Sequence, residues 1–144
     1  MKKALALLAI VSASILTLTG CSTQTTPNTP MDLNAKFEVT DISEDFFANT
    51  ESPIEEYTEL PLITDLKADT FVFVTGGSGS CAPEIEDIEV TPLTNTIVLK
   101  SLGDVACTAD FVLYAYKVDL ENEINPDLTF QVKSGDQLTN AYIK

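Results

Sequence analysis

Histidine, arginine and tryptophan are all missing from this chain of 144 residues, and eight lysines carry all of its side-chain positive charge. Each gap excludes a class of chemistry. Without histidine, a serine or cysteine nucleophile lacks its usual base, and a zinc site lacks its commonest nitrogen ligand. Without arginine there is no bidentate fork for phosphate, and 22 acidic residues leave no basic surface to neutralise a nucleic-acid backbone. Nucleic acid is therefore excluded as a partner. The lack of tryptophan removes the usual sugar platform, so the carboxylates Glu84, Glu86, Asp87 and Glu89 read as an acidic loop and not as the acid and base of a glycosidase. Cysteine is scarce as well. The three present include no Cys-x-x-Cys spacing, which a thiol redox centre would ask for.

What is present begins with an address. Lys2 and Lys3 precede an apolar stretch, Ala4 to Leu18, that is short for a membrane span, and Leu18-Thr19-Gly20-Cys21 closes it. An ordinary secretory peptide or an uncleaved anchor would share the charged start and apolar core. The small residues leading into a cysteine resemble the lipobox of bacterial lipoproteins. The resemblance implies a diacylglyceryl group on the sulfur of Cys21, cleavage after Gly20 and a mature chain that starts at Cys21. One acyl chain holds a protein only marginally, while two or more anchor it stably. The expected location is extracytoplasmic, on the face of the cell membrane or of an outer membrane, and the lipid makes that membrane the first partner.

Removal of residues 1–20 leaves six lysines against 22 acidic residues, a net charge of −16. Such a surface is repelled by anionic headgroups, so attachment must come from the lipid and not from the protein face. Residues 21–34, polar and punctuated by Pro27 and Pro30, read as a lipidated tether. Residues 35–144 are the right length for one domain with a real core.

Within that domain the hydrophobic period turns to two. Phe37-Glu38-Val39 alternates, Thr70 to Thr75 is too continuously apolar for a half-exposed strand, and Gly76 to Ser80 ends it. Ile88–Thr91 and Thr96–Lys100 are expected as a hairpin around Pro92 and Asn95. Asp110 to Leu120 is the longest candidate strand, with Phe111, Leu113 and Ala115 on one side and Val112, Tyr114, Tyr116 and Val118 on the other. Leu128–Lys133 and Ala141–Lys144 are expected to pair around Ser134-Gly135-Asp136. Asp41 to Asn49 reads either as an isolated helical turn or as a loop docked by Phe46 and Phe47. No segment after Gly20 sustains a helical period. The predicted fold is all-β, a small antiparallel sandwich or partly open barrel with one disulfide.

That disulfide is expected between Cys81 and Cys107, because an even pair outside the cytoplasm in a small domain is usually bonded. Free structural thiols, or a redox or metal site, are the other readings. A bridge would close a loop of about 25 residues, for which chain entropy gives ~3.5 kcal/mol.

Two short motifs surround these cysteines: Gly77-Ser78-Gly79-Ser80-Cys81-Ala82-Pro83 and Ala106-Cys107-Thr108-Ala109-Asp110. They resemble small lipoproteins of unknown function, of an actinobacterial type, whose domain carries Gly-Ser-Ser-Ser-Cys-x-Pro and then Ala-Cys-Thr-Ala-Asp before a long strand. The resemblance spans about Phe71 to Leu120 and departs from the pattern at Gly79, where serine is usual. It implies that the two cysteines pair, and it supplies no activity.

The remaining motifs fall short of a site. A Ser-Lys pair would have to bring Ser78 or Ser80 to Lys100. The Gly76–Ser80 run lacks the Gly-Lys-Ser/Thr ending of a phosphate loop. Asp119 to Asp127 offers oxygen donors at alternate positions, yet places Ile124 and Phe130 where a calcium loop needs glycine and a bidentate carboxylate. Tyr114 and Tyr116, on one side of a strand, read as core or as part of a binding face. No catalytic residue, metal ligand or cofactor is predicted. The expected role is a non-catalytic binding or envelope-interaction domain whose partner is an unidentified envelope protein or ligand. An inhibitor or modulator of an envelope protein, using the Gly76–Pro83 loop, is the alternative, followed by a carboxylate- or cation-dependent enzyme.

Overall fold

The structure, a computed structural model, describes residues 33–144. Cys21 and the remainder of the expected signal and tether up to residue 32 lie outside the described residues. Two five-stranded sheets face each other. The first, in the order β1-β5-β6-β8-β9, contains β1 (Leu33–Asn34), β5 (Ile85–Val90), β6 (Thr94–Leu99), β8 (Thr129–Ser134) and β9 (Gln137–Asn140). The second, in the order β10-β3-β4-β7-β2, contains β2 (Phe37–Asp41), β3 (Leu62–Thr64), β4 (Thr70–Gly77), β7 (Val112–Leu120) and β10 (Tyr142–Ile143). The fold is all-β, neither sheet closes into a barrel, and one disulfide joins Cys81 to Cys107.

Side-chain alternation explains the packing. Phe71, Phe73, Tyr116, Val118 and Leu120 point from the second sheet into the space between the sheets, where Ile88, Ile97, Phe130 and Val132 meet them from the first. Phe71 and Phe130 join edge to face across the layers, with ring centroids 5.6 Å apart. A bulge between Ile85 and Asp87 lets both Ile85 and Ile88 face this core despite their odd spacing. The second sheet is buried on its other face too. There Leu62, Val72, Val74 and Ala115 lie under Phe46 and Phe47 of a short helix, α1 (Ser43–Phe47), under Ile42 just before it, and under Tyr57 and Leu60 from the chain that follows a second short helix, α2 (Pro53–Glu56). This double burial is why Thr70–Thr75 is apolar at nearly every position. The Asp41–Asn49 segment thus combines both expectations, a single helical turn docked by its phenylalanines.

Four details differ from the sequence reading. Leu33 and Asn34, expected in the tether, pair with Val90 and Glu89 and so belong to the folded unit. Ala141–Lys144 does not form a hairpin with Leu128–Lys133. The hairpin partner of β8 is β9, which immediately follows the turn at Gly135, and the chain then crosses to the other sheet, where Tyr142 and Ile143 run parallel to Leu62 and Ile63. With β6 and β8 also parallel, both sheets are mixed and not wholly antiparallel. The longest strand is nine residues and starts at Val112, with Asp110 and Phe111 left in the loop before it.

The strand directions give the sandwich two distinct ends. Leu33, Val90, Leu120 and the loop after it gather at one, here the Leu33 end. Gly77, Leu99, Val112 and Ser134 gather at the other with Cys81 and Cys107, here the bridge end.

Candidate functional site at the bridge end

Strand β4 carries its pairing through Gly76 and Gly77, opposite Leu113 and Val112, so these glycines are not yet the loop that the sequence suggested. Their lack of a Cβ has a use. A side-chain carbon on Gly76 would run into the ring of Phe111, and one on Gly77 would come within 2.7 Å of Pro83 Cδ. The chain then turns at Ser78–Cys81, closed by Cys81 N–H donating to the Ser78 carbonyl at 3.1 Å.

Two tyrosines from β7 hold this turn from below. The Tyr114 hydroxyl donates to the Ser78 carbonyl at 2.8 Å and the Tyr116 hydroxyl to the Pro83 carbonyl at 2.7 Å. Their rings lie nearly parallel, with centroids 6.2 Å apart. Burial, then the nearby Asp41 carboxylate, raises the Tyr116 hydroxyl well above the ordinary tyrosine range, so it remains a donor at any ordinary pH. Their observed role is support of the turn from the core side.

Above the tyrosines, four side chains form a closed polar clamp between the two cysteine motifs. Ser78 Oγ lies 2.8 Å from Thr108 Oγ1 and donates to Asp110 Oδ1 at 3.2 Å. Ser80 Oγ accepts from the Thr108 N–H at 2.8 Å and lies 3.0 Å from Thr108 Oγ1. The Thr108 hydroxyl also donates to Asp110. The Asp110 carboxylate accepts the Gly79 N–H with both oxygens, each at 3.2 Å. These donors favour its charged form, so its pKa falls below the ordinary carboxylate value, with the Thr108 hydroxyl the largest cause and the Gly79 and Ser78 donors adding to it. Gly79 is part of the same geometry, since a Cβ there would land on Asp110 Oδ2. The Cys81–Cys107 bridge, with Cα atoms 5.6 Å apart, runs beside the clamp and ties the same two segments covalently.

A cleft of about 420 Å³ opens next to the bridge, bounded by Gly76, Gly77, Leu99, Leu102, Ser134 and Gly135 among others. Lys100 borders it but donates to Glu84 at 2.8 Å, which raises the lysine pKa. Ser78 and Ser80 bond to Thr108 and Asp110 instead of Lys100, so the Ser-Lys pair considered above does not form.

The other sequence candidates are dispersed. Glu84 serves Lys100, and Asp87 accepts the Ile88 N–H. Asp119 sits on β7 and accepts from Thr70 and Lys117, which lower its pKa, with Lys117 first. Ile124 is a core residue, 5% exposed, which accounts for an apolar side chain in that acidic loop. Among the described residues no three acidic, cysteine or histidine side chains group as a metal site, and no helix is long and apolar enough to cross a membrane. The clamp roles of Thr108 and Asp110 were not evident from the sequence, although both belong to the second cysteine motif. The cleft's Leu99, Leu102 and Ser134 come from separate strands and loops and share no local signal. Comparison of the chain with family models, with curated proteins and with solved structures finds no match.

Proposed function

We propose that this protein is a lipid-anchored extracytoplasmic binding domain of the bacterial lipoprotein kind, without a catalytic role, and that its recognition surface is the bridge end. One observation carries the binding reading. The hydroxyl and carboxylate groups of Ser78, Ser80, Thr108 and Asp110 are spent on one another, so they fix the shape of an exposed surface and leave no activated nucleophile. Shape fixed in advance lowers the ordering cost of binding. The resemblance to small lipoproteins with paired cysteine motifs supports the same assignment, and the bonded Cys81 and Cys107 agree with it. The Gly79 departure from that pattern fits its neighbourhood, because glycine leaves room for the Asp110 carboxylate.

Anchoring rests on Leu18-Thr19-Gly20-Cys21. Metabolic labelling with a fatty acid tests it: the wild type incorporates label into the membrane fraction, and Cys21→Ala yields an unlabelled precursor or a released protein. Label in Cys21→Ala would refute lipidation at Cys21. For the binding role, native lipidated protein purified from solubilised envelope should carry a stoichiometric companion that the Ser80→Ala/Asp110→Ala variant loses. Hydrolytic turnover that depends on the acidic residues would instead favour the enzyme reading.

A further inference from the structure

At the bridge end, one exposed element takes no part in the clamp. Leu102–Val105 is a β-turn closed by the Val105 N–H donating to the Leu102 carbonyl at 3.2 Å, with Gly103 in the left-handed region at φ +56°. A Cβ on Gly103 would meet nothing within 4 Å, so the turn projects clear of the domain. Leu102 and Val105 flank it at 44% and 62% exposure, and Phe111, 52% exposed, lies over Gly76 nearby. The cleft runs below, bounded by Leu102 itself. Leu33, where the described chain starts, is at the opposite end, and the nine residues of β7 alone put roughly 30 Å between the two.

We propose that this turn and its cleft are a docking surface for a protein that offers an apolar side chain ringed by lysine or arginine, and that the surface faces away from the anchoring membrane. The orientation half rests on the lipid-anchored reading, and the docking half on the reading of the bridge end as the recognition surface. Charge selects the occupant. Exposed Glu84 and Glu86 at the start of β5, Asp104 in the turn and Asp136 after β8 lie at this end against Lys100 and Lys133, and Lys100 is already paired with Glu84. An anionic bilayer is repelled by that surface, and so is a second copy of the same acidic domain. A basic rim around an apolar centre matches both the exposed Leu102 and Val105 and the carboxylates about them. The bridge fixes Cys107, two residues beyond Val105, so the turn is held before its partner arrives.

Photo-crosslinking in intact cells tests this, with a photoreactive amino acid in the full-length lipidated protein at position 105 or, as control, at Leu93, which is 78% exposed beside the Leu33 end. Position 105 should give an adduct with one protein, whose crosslinked peptide is rich in lysine or arginine, and position 93 should not. Asp104→Lys, with an unfolding midpoint equal to the parent's, should cut that adduct about tenfold. Adducts with lipid, with a second copy or with an acidic peptide would overturn the proposal. So would no adduct at 105, equal yields at the two positions, or a yield untouched by Asp104→Lys. Fatty-acid incorporation is read in the same cells: its absence removes the orientation half alone.

Discussion

The two ends of the sandwich are closed by different means. At the Leu33 end the chain seals itself with its backbone: Leu120 N–H donates to Asp69 and Ile124 N–H to Ala68, both at 2.7 Å, and Glu121 N–H donates to Lys36 at 2.9 Å. Apolar side chains plug what remains, with Ala35, Leu120 and Ile124 all buried. At the bridge end, residues 101 to 111 are exposed at every position, and a disulfide, four polar side chains and two tyrosine hydroxyls do the holding. The first arrangement gains stability from burial. The second gains little from burial and fixes shape instead, as the proposed recognition role would require.

If that contrast is right, the largest loss comes from the buried layers. Phe130→Ala, which empties a fully buried site against Phe71, should cost about 3 to 5 kcal/mol in denaturant unfolding. Next comes the bridge. Cys81→Ser/Cys107→Ser should cost about 2 to 4 kcal/mol, through the unfolded chain it no longer constrains, and should leave the proposed lipid attachment at Cys21 unchanged. Alkylation of the denatured, unreduced domain should find no thiol at either position. Tyr116→Phe is smaller again, about 1 kcal/mol by the same unfolding measurement, because the Pro83 carbonyl loses its donor.

The smallest effect is one of pH. Asp110 has its folded pKa below the ordinary value, so its charged form is favoured in the folded state. Its contribution is fully present above the unfolded carboxylate pKa and is lost as pH falls through the folded one. The wild type should therefore lose a little more stability than Asp110→Asn on acidification below the ordinary carboxylate range. Gly79→Ser should mimic part of that variant at neutral pH by displacing the same carboxylate.

How much of this was legible in the sequence follows the same division. Thr70–Thr75 and the two faces of the last long strand were readable because alternation and β-branching are local, and burial on both faces leaves an unbroken apolar run. The pairing of Cys81 with Cys107 was readable because cysteines are few. The course of the C-terminus was not. Ser134-Gly135-Asp136 announces a turn, but whether Gln137–Asn140 or Ala141–Lys144 returns beside β8 depends on where β3 waits for a parallel partner. The clamp was hidden for a similar reason, since Ser78 and Asp110 are 32 residues apart and become neighbours only when β4 and β7 align Gly77 with Val112.

The bridge end is held in one shape by its clamp, its disulfide and the two tyrosine hydroxyls beneath it, and not by burial of its own side chains. Residue-resolved amide hydrogen exchange tests it most directly, since Gly79 N–H is bonded to Asp110 and Thr108 N–H to Ser80 Oγ. In the oxidised protein both amides should be protected. In the Cys81→Ser/Cys107→Ser variant they should lose that protection while the Leu120 and Ile124 amides keep theirs. Exchange of Gly79 and Thr108 at the rate of an unstructured peptide in the oxidised protein would contradict the claim, and so would simultaneous loss of protection at both ends in the variant.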